Sequence, residues 1–316
     1  MARILITGAH GFIGRHLAKS LALAGNVVIG LGHGNWPPLH AQRWGLVYWL
    51  NGEIDIPNLR SIQKQFGTVD IVYHLAGGSS VGAAIANPRE DFHRTVSSTV
   101  ELLEWLRQEA SNSILVAVSS AAVYGAGHIG QIAETARPNP FSPYGHHKHI
   151  MESLCISYSE SYELKVVISR LFSVYGEGLR KQLLWDVCSQ LEVHPDRILL
   201  GGSGNELRDW TAVTDVVRAL SFIHTEANLP PKVINIGTGR GTNVRTIVEG
   251  VGQAWAAHTN LSPEIEFSGK ARAGDPQSLI AQSEQLATLG FEWQKDLMEG
   301  LADYVRWFRS ESGARS

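Results

Sequence analysis

Three glycines spaced three apart, Gly8, Gly11 and Gly14, separate a short apolar run from an amphipathic stretch in ILITGAHGFIGRHL. Geometry explains the residue type. A tight turn out of a strand needs positive φ, which glycine adopts freely. Backbone N–H groups at a helix N-terminus approach a pyrophosphate closely only where no Cβ intervenes. The spacing is GxxGxxG rather than GxGxxG, yet it directly follows a strand candidate and opens a helix. That is the setting in which such a loop cradles a dinucleotide. The competing reading is a turn with a structural role only.

The N-terminal half repeats this strand-to-helix step. RILIT (3–7), VVIGL (27–31), DIVYHLA (70–76), ILVAVSS (114–120) and KVVISRLF (165–172) are rich in β-branched residues and almost wholly apolar. Continuous apolar strands are covered on both faces, whereas alternating ones leave a face in water. Helical patterns lie between them, at 12–24, ending at Gly25, and at 91–108. The rhythm predicts an α/β fold built on a doubly wound parallel sheet. Beyond Tyr175 it loosens into a loop and helix, then strand, turn and strand in RILLGGSGNELRDW, then a further strand in VINIGTG. We expect a first domain of 1–175 plus 211–238 and a smaller C-terminal lobe of 176–210 plus 239–316. With 316 residues, 44% of them apolar, the chain has material for both cores.

Bulk properties remove several function classes. A net charge of −3 gives no electrostatic reason to expect nucleic acid or an anionic membrane. Cys155 and Cys188 lack CxxC spacing, which argues against a disulfide framework or zinc site and fits a reducing compartment. The N-terminus lacks a signal peptide's unbroken apolar stretch, because Thr7, Gly8 and His10 interrupt it. No apolar run reaches the ~18 residues of a membrane span. We therefore expect a cytoplasmic protein. His146, His147 and His149 lack a closed, carboxylate-rich ligand arrangement, so no metal is expected and they read as helix surface or subunit contact.

Two segments bear on chemistry. At the end of the second strand, VVIGLGHGNW offers Gly32 and His33 where enzymes using NAD carry an acid for the ribose 2′-hydroxyl. With no carboxylate there, and with His10 and His33 both available, NADP(H) is favoured over NAD(H). Downstream, Ser119 and Ser120 end the strand 114–118, at the edge where open α/β sheets bind ligands. In SPYGHHKHIME, Ser142 reads as an N-cap and Pro143 as the first helical residue. Tyr144 and Lys148 then share a helix face. An ammonium about 5 Å from the phenol favours the phenolate by roughly 3 kcal/mol at an effective dielectric of about 20. Tyr144 could then exchange a proton with an alcohol oxygen that Ser120 orients. The bland alternative is a pair of ordinary helix neighbours.

Taken in order, TGAHGFIG, HLAG, SSAAVYG, SPYGHHK, SRLFSVYG, RDW, NIGTG and RAGD resemble the extended short-chain dehydrogenase/reductase family. More narrowly, the chain is similar to its NAD(P)-dependent nucleotide-sugar epimerases, dehydratases and 4-ketoreductases. The resemblance implies a Rossmann domain with a C-terminal substrate-binding lobe, and catalysis by Ser120, Tyr144 and Lys148. It implies cofactor contacts at Gly8, Gly11, Phe12, Ile13 and Gly14, at Glu53 and Ile54 beside the adenine, and at Leu75, Ala76 and Gly77. Ser119, Leu171 and Ser173 would lie near the nicotinamide, with Tyr144 and Lys148. Substrate contacts are implied at Ser79, Ser120, Ser173 and Arg180, with Arg208 and Arg272 clamping a diphosphate. Planar guanidinium groups suit that task, although each could instead pair with Asp209 or Asp275. A homodimer through the helices near 91–108 and 143–162 is also implied.

Departures narrow the activity. The 4,6-dehydratases carry an acidic pair where this chain has Ala121 and Ala122, and alanine can neither give nor take a proton. Ser173 and Thr95 replace asparagines, and GEGLRKQLLWD departs from the usual nucleobase segment. The reading preferred from sequence is NADPH-dependent reduction of a nucleotide-linked 4-keto-6-deoxyhexose. Next to it stands a nucleotide-sugar 4-epimerase of the UDP-glucose/UDP-galactose type. Behind both stands a non-catalytic dinucleotide sensor, which has no need of Tyr144 and Lys148.

Overall fold

The computed structural model of the chain describes residues 1–270 and 276–313. In chain order the first elements are β1 (Arg3–Thr7), α1 (Phe12–Leu23), β2 (Val27–Gly32), α2 (Pro38–Arg43), β3 (Leu46–Asn51) and α3 (Ile56–Phe66). Then come β4 (Ile71–His74), α4 (Val81–Ala86), α5 (Pro88–Phe92), α6 (Ser98–Glu109), β5 (Ile114–Ser120) and β6 (Gln131–Ile132). Next are α7 (Pro143–Tyr162), β7 (Lys165–Leu171), β8 (Ser173–Tyr175), α8 (Gln182–Val193), β9 (Arg197–Leu200) and β10 (Leu207–Ala212). The last are α9 (Val213–Ile223), β11 (Lys232–Ile236), β12 (Gly241–Asn243), α10 (Val244–Thr259), β13 (Glu264–Phe267), β14 (Ser278–Ala281), α11 (Glu284–Thr288) and α12 (Leu297–Gly313).

A seven-stranded parallel sheet runs β11-β7-β5-β4-β1-β2-β3 among the described residues. The strands expected from sequence form it, joined by β3. The sequence reading passed over LVYWLN because its burial is mixed rather than continuous. The chain steps from β1 out to β3, then returns to the other side of β1 with β4. That reversal leaves a crevice at the carboxyl ends of β1 and β4, where doubly wound sheets bind ligands. Leu5, Ile29, Val72, Leu115 and Ile168 fill the interior, with Trp105 buried among them and donating to Gln63 Oε1 at 2.9 Å.

Two helices carry the polar residues that gather beside the ends of β4 and β5. Ser142 caps α7, its Oγ accepting from Gly145 N at 3.2 Å with Pro143 in the first turn, as expected. The helix expected over 91–108 is continuous, running through α5, a π-helical turn at His93–Ser97, and α6. Such a turn inserts a residue and re-aims the side chains around it.

The chain forms two compact units, 1–125, 134–171 and 217–236 against 126–133, 172–216 and 237–316. Strand pairing explains where these depart from the boundaries drawn on the sequence. In the second unit β6 pairs with β14, and β8 pairs with β10.

Tyr73 on β4 is fully buried, and its phenol oxygen finds no hydrogen-bond partner among the described residues. Burial also pushes its pKa well up. A lone buried hydroxyl costs about 1–3 kcal/mol. Tyr73→Phe should therefore leave stability unchanged or raise it in urea denaturation. A loss above about 1 kcal/mol would reveal a partner for that oxygen.

Candidate active site

The turn after β1 is built by contact. Gly8 has φ +75°, and a Cβ there would lie 2.8 Å from Ala76 N in the turn after β4. A Cβ on Gly14 would fall 2.4 Å from the Gly8 carbonyl oxygen, so this glycine lets α1 pack on the loop. Gly11 is the N-cap of α1, with no capping side chain and no acid in the first turn. Its hypothetical Cβ would meet only the Gly8 oxygen, at 3.1 Å. Backbone amides at the start of a 12-residue helix are thus left available to an anion. The cradle fits a dinucleotide's pyrophosphate.

At the ribose end, two expectations need correction. His10 packs inward, 4.9 Å from the Trp36 ring and 6.0 Å from the Trp49 ring. Burial first, and then the Arg15 charge, hold its pKa below the usual histidine value. A neutral ring is a poor phosphate ligand. His33 is exposed, and its Nε2 lies 3.2 Å from Glu53 Oε2. A carboxylate therefore does stand near the end of β2, supplied by the segment that follows β3. The preference for NADP(H) rested on its absence. Ile54, beside Glu53, is buried.

Thr7 and His74, register partners on β1 and β4, anchor a buried hydrogen-bond chain. Thr99 Oγ1 donates to the Thr95 carbonyl at 2.6 Å, so it must accept from His74 Nε2 at 2.9 Å. His74 Nδ1 consequently accepts from Thr7 Oγ1 at 2.7 Å, and Thr7 in turn accepts from Ala76 N at 3.4 Å. The tautomer follows from the bookkeeping of protons. Burial, and secondarily the Lys148 charge, push the His74 pKa down to about 3. Thr95 Oγ1 also accepts from Gly78 N at 2.8 Å. The turn 75–78 is thereby fixed, with Leu75, Ala76 and Gly77 half-buried and Ser79 exposed beyond it.

Ser120, Tyr144 and Lys148 come together at the end of β5. Ser120 Oγ accepts from Ala122 N at 3.2 Å and hydrogen-bonds to the Tyr144 phenol. Ser119 behaves differently from expectation: its hydroxyl turns inward and donates to buried Glu152 Oε1 at 2.5 Å. Arg170 holds the same carboxylate through Nε at 3.0 Å and Nη2 at 2.7 Å. Its guanidinium also lies 4.7 Å from the Tyr124 ring centroid. Of the two serines, Ser120 alone is directed to the tyrosine.

Lys148 is buried and donates from Nζ to the Val118 carbonyl at 2.9 Å. Burial pulls its pKa down to about 8, against the opposing pull of Asp91 and Glu152. Tyr144 does not show the acidic phenol expected from sequence. Burial raises its pKa, Ser120 pulls it back and Asp91 adds to the rise. Desolvation is the largest influence on this phenol, and the Lys148 ammonium is not among the groups that shift it.

Other expected residues are placed as follows. Phe12 and Ile13 are half-buried in the first turn of α1, and Leu171 is buried at the end of β7. Ser173 and Arg208 lie on β8 and β10 of the second unit. Asp209 is not the partner of Arg208. Its buried carboxylate accepts from Thr238 N, Thr238 Oγ1, Gly239 N and Ala281 N at 2.7–3.2 Å. Arg180 pairs with Glu311 and lies 6.0 Å from the Trp307 ring centroid, so it is engaged by α12. Arg272 lies outside the described residues.

The sequence reading missed His74, Thr99, Asp91 and Glu152, and set His147 on the helix surface. The structure instead packs a partly buried His147 against buried Asp91, with Nδ1 2.6 Å from Oδ2. A readable signal existed: 91, 95 and 99, like 144, 148 and 152, are polar residues repeating every fourth position along helices with apolar faces.

Comparison with known proteins agrees with this geometry. The family described as "NAD dependent epimerase/dehydratase family" matches residues 4–237. UDP-glucose 4-epimerase of Halalkalibacterium halodurans is 28% identical, covering 96% of this chain and 94% of its own. MoeE5, solved in complex with UDP-glucuronic acid and NAD, is 31% identical with a TM-score of 0.83, covering 98% of this chain and 99% of its own. UDP-glucose 4-epimerase of Thermotoga maritima, solved with UDP-glucose, is 27% identical with a TM-score of 0.86 and the same coverage.

Two outcomes test the buried network. His74 titrates near 6.5 when unfolded, so between there and about 3 the unfolded chain binds the extra proton and stability falls with pH. Between about pH 6.5 and 5 the wild type should lose about 2 kcal/mol more than His74→Gln in urea denaturation. Parallel losses would show that His74 is not held neutral. Arg170→Met leaves Glu152 buried without its cation and should cost about 3–5 kcal/mol in the same assay, whereas a cost below about 1 kcal/mol would mean that the pair is dispensable.

Proposed function

The chain belongs to the NAD dependent epimerase/dehydratase family, and from that premise we propose that it is an NAD-dependent 4-epimerase of a UDP-linked hexose or hexuronate. The observation that carries this reading is the Ser120–Tyr144–Lys148 cluster followed by two alanines. It can move one proton at one oxygen, and Ala121 and Ala122 supply no second acid or base for eliminating water. The names of two relatives support the same chemistry, since both are UDP-glucose 4-epimerases.

NAD, when bound, supplies a reversible hydride acceptor for the sugar carbon. Backbone amides of the Gly8–Gly14 loop would hold its pyrophosphate, and Glu53, beside His33, would take the ribose hydroxyls. The carboxylate at the end of β2 favours NAD over NADP, as do relatives solved with NAD. Bound NAD would also bring a positive nicotinamide that opposes the burial penalty on the phenolate. Ionised in that state, Tyr144 takes the proton of the 4-hydroxyl and returns it once the sugar has presented its other face. Ser120 orients the oxygen through both transfers. Lys148, fixed on the Val118 carbonyl, sets the charge beneath the phenol. No net oxidation occurs, so neither the cofactor nor any proton is consumed.

Arg208 is taken to contact the diphosphate, with Asp209 already satisfied by its own four donors. A homodimer through α6 and α7 and a cytoplasmic location complete the proposal. Among the described residues no helix is long and apolar enough to cross a membrane. Reduction of a 4-keto-6-deoxyhexose by NADPH takes second place, because it rested on a second-strand end without a carboxylate.

The test is direct. Denaturing the purified protein should release NAD, identified by mass, and UDP-glucose should be converted to UDP-galactose, or UDP-glucuronate to its C4 epimer, with no net change at 340 nm. Tyr144→Phe should lower kcat by about 10²–10⁴-fold. Stoichiometric NADPH consumption on a 4-keto sugar, with no epimerisation, would overturn the assignment.

A further inference from the structure

Behind Tyr144 and Lys148 lies an acid–base pair that the proposed reaction does not use. Asp91 Oδ2 and His147 Nδ1 are 2.6 Å apart, with side-chain exposures of 5% and 13%. The Phe92 ring stands edge-on to His147 at 5.4 Å. The other carboxylate oxygen packs on the turn after β4, where a Cβ on Gly78 would lie 1.7 Å from it. The neighbouring glycine does the same for the lysine. A Cβ on Gly77 would lie 3.2 Å from Lys148 Nζ and 3.1 Å from Thr95 Oγ1. Two consecutive glycines are thus pressed against a buried carboxylate and a buried ammonium.

Such an ammonium needs compensation, because desolvation disfavours the charged form. The titratable groups around it are Asp91 from α5, Glu152, Tyr144 and Cys155 from α7, and His74 from β4. His74 is neutral and Cys155 is a buried thiol. Glu152 is already committed to Arg170 and Ser119. Asp91 is the remaining carboxylate, and its partner is an imidazole rather than a guanidinium.

We propose that Asp91, held in place by His147, is a positioning residue that keeps the Lys148 side chain charged and seated beneath Tyr144. Asp91 is too deeply buried to touch a sugar and acts through the lysine. Glycine at 77 and 78 leaves room for both groups, because a Cβ at 77 would crowd the ammonium and one at 78 would strike the carboxylate. The proposal rests on the reading of Tyr144 and Lys148 as the proton-transfer pair.

The experiment reads the lysine itself in the full-length chain without substrate. Lysines labelled with ¹³C at Cε are titrated by NMR, and the Lys148 signal is identified by its disappearance in Lys148→Met. Asp91→Asn, nearly isosteric, should lower the Lys148 midpoint by about one to three pH units, and Asp91→Glu should restore part of it. His147→Asn should shift the midpoint in some direction, because it frees the carboxylate to move. An unmoved midpoint in a folded Asp91→Asn protein overturns the proposal. Should that variant fail to fold, Gly78→Ala, which displaces the carboxylate without removing it, must shift the same signal, and its failure to do so is equally fatal. Because no sugar is present, these outcomes are separate from the turnover of Tyr144→Phe, which tests the assigned chemistry.

Discussion

A side chain at position 8 would strike the backbone of Ala76, and much of the nucleotide-facing edge of the sheet follows from that approach. The turns after β1 and β4 can close on each other only because residue 8 is glycine at positive φ. Once they close, Thr7 reaches His74, His74 reaches Thr99, and the turn 75–78 is drawn against the helix that carries Thr95. The amide cradle and the floor of the Ser120–Tyr144–Lys148 cluster are therefore one construction.

Two polar stripes line that floor. One runs through Asp91, Thr95 and Thr99, and the other through Tyr144, Lys148 and Glu152. Each charged member has a specific counterpart: Asp91 has His147, Glu152 has Arg170, and Lys148 has the Val118 carbonyl. Burying so many polar groups is tolerable only when nearly every donor and acceptor is met. The density of pairing is what allows a lysine with a pKa of about 8 to sit beside a tyrosine whose proton is held by burial.

Much of this could be read from the amino acids. The parallel strands, the glycine loop, the Ser142 cap and the Tyr144–Lys148 pair depend on local pattern, and local pattern is visible in a sequence. What escaped depends on distance. Glu53 reaches the end of β2 only because β3, an unobtrusive strand, pairs there. His74 meets Thr7 across 67 residues, and Asp91 meets His147 across 56. The acidity expected of Tyr144 failed for a related reason, since desolvation is a property of the packed interior and a pairwise charge argument omits it. Arg180 looked available until α12 supplied Glu311.

Asp209 and Arg208 carry one more lesson. Adjacent residues in a strand face opposite ways, so seating the carboxylate in its nest of amides commits the guanidinium to the other side. A slip of one place along β10 would thrust a cation into a hollow lined by N–H groups, where it would be repelled. The sign of charge at 209 thus helps to set the register of β10 against its neighbours.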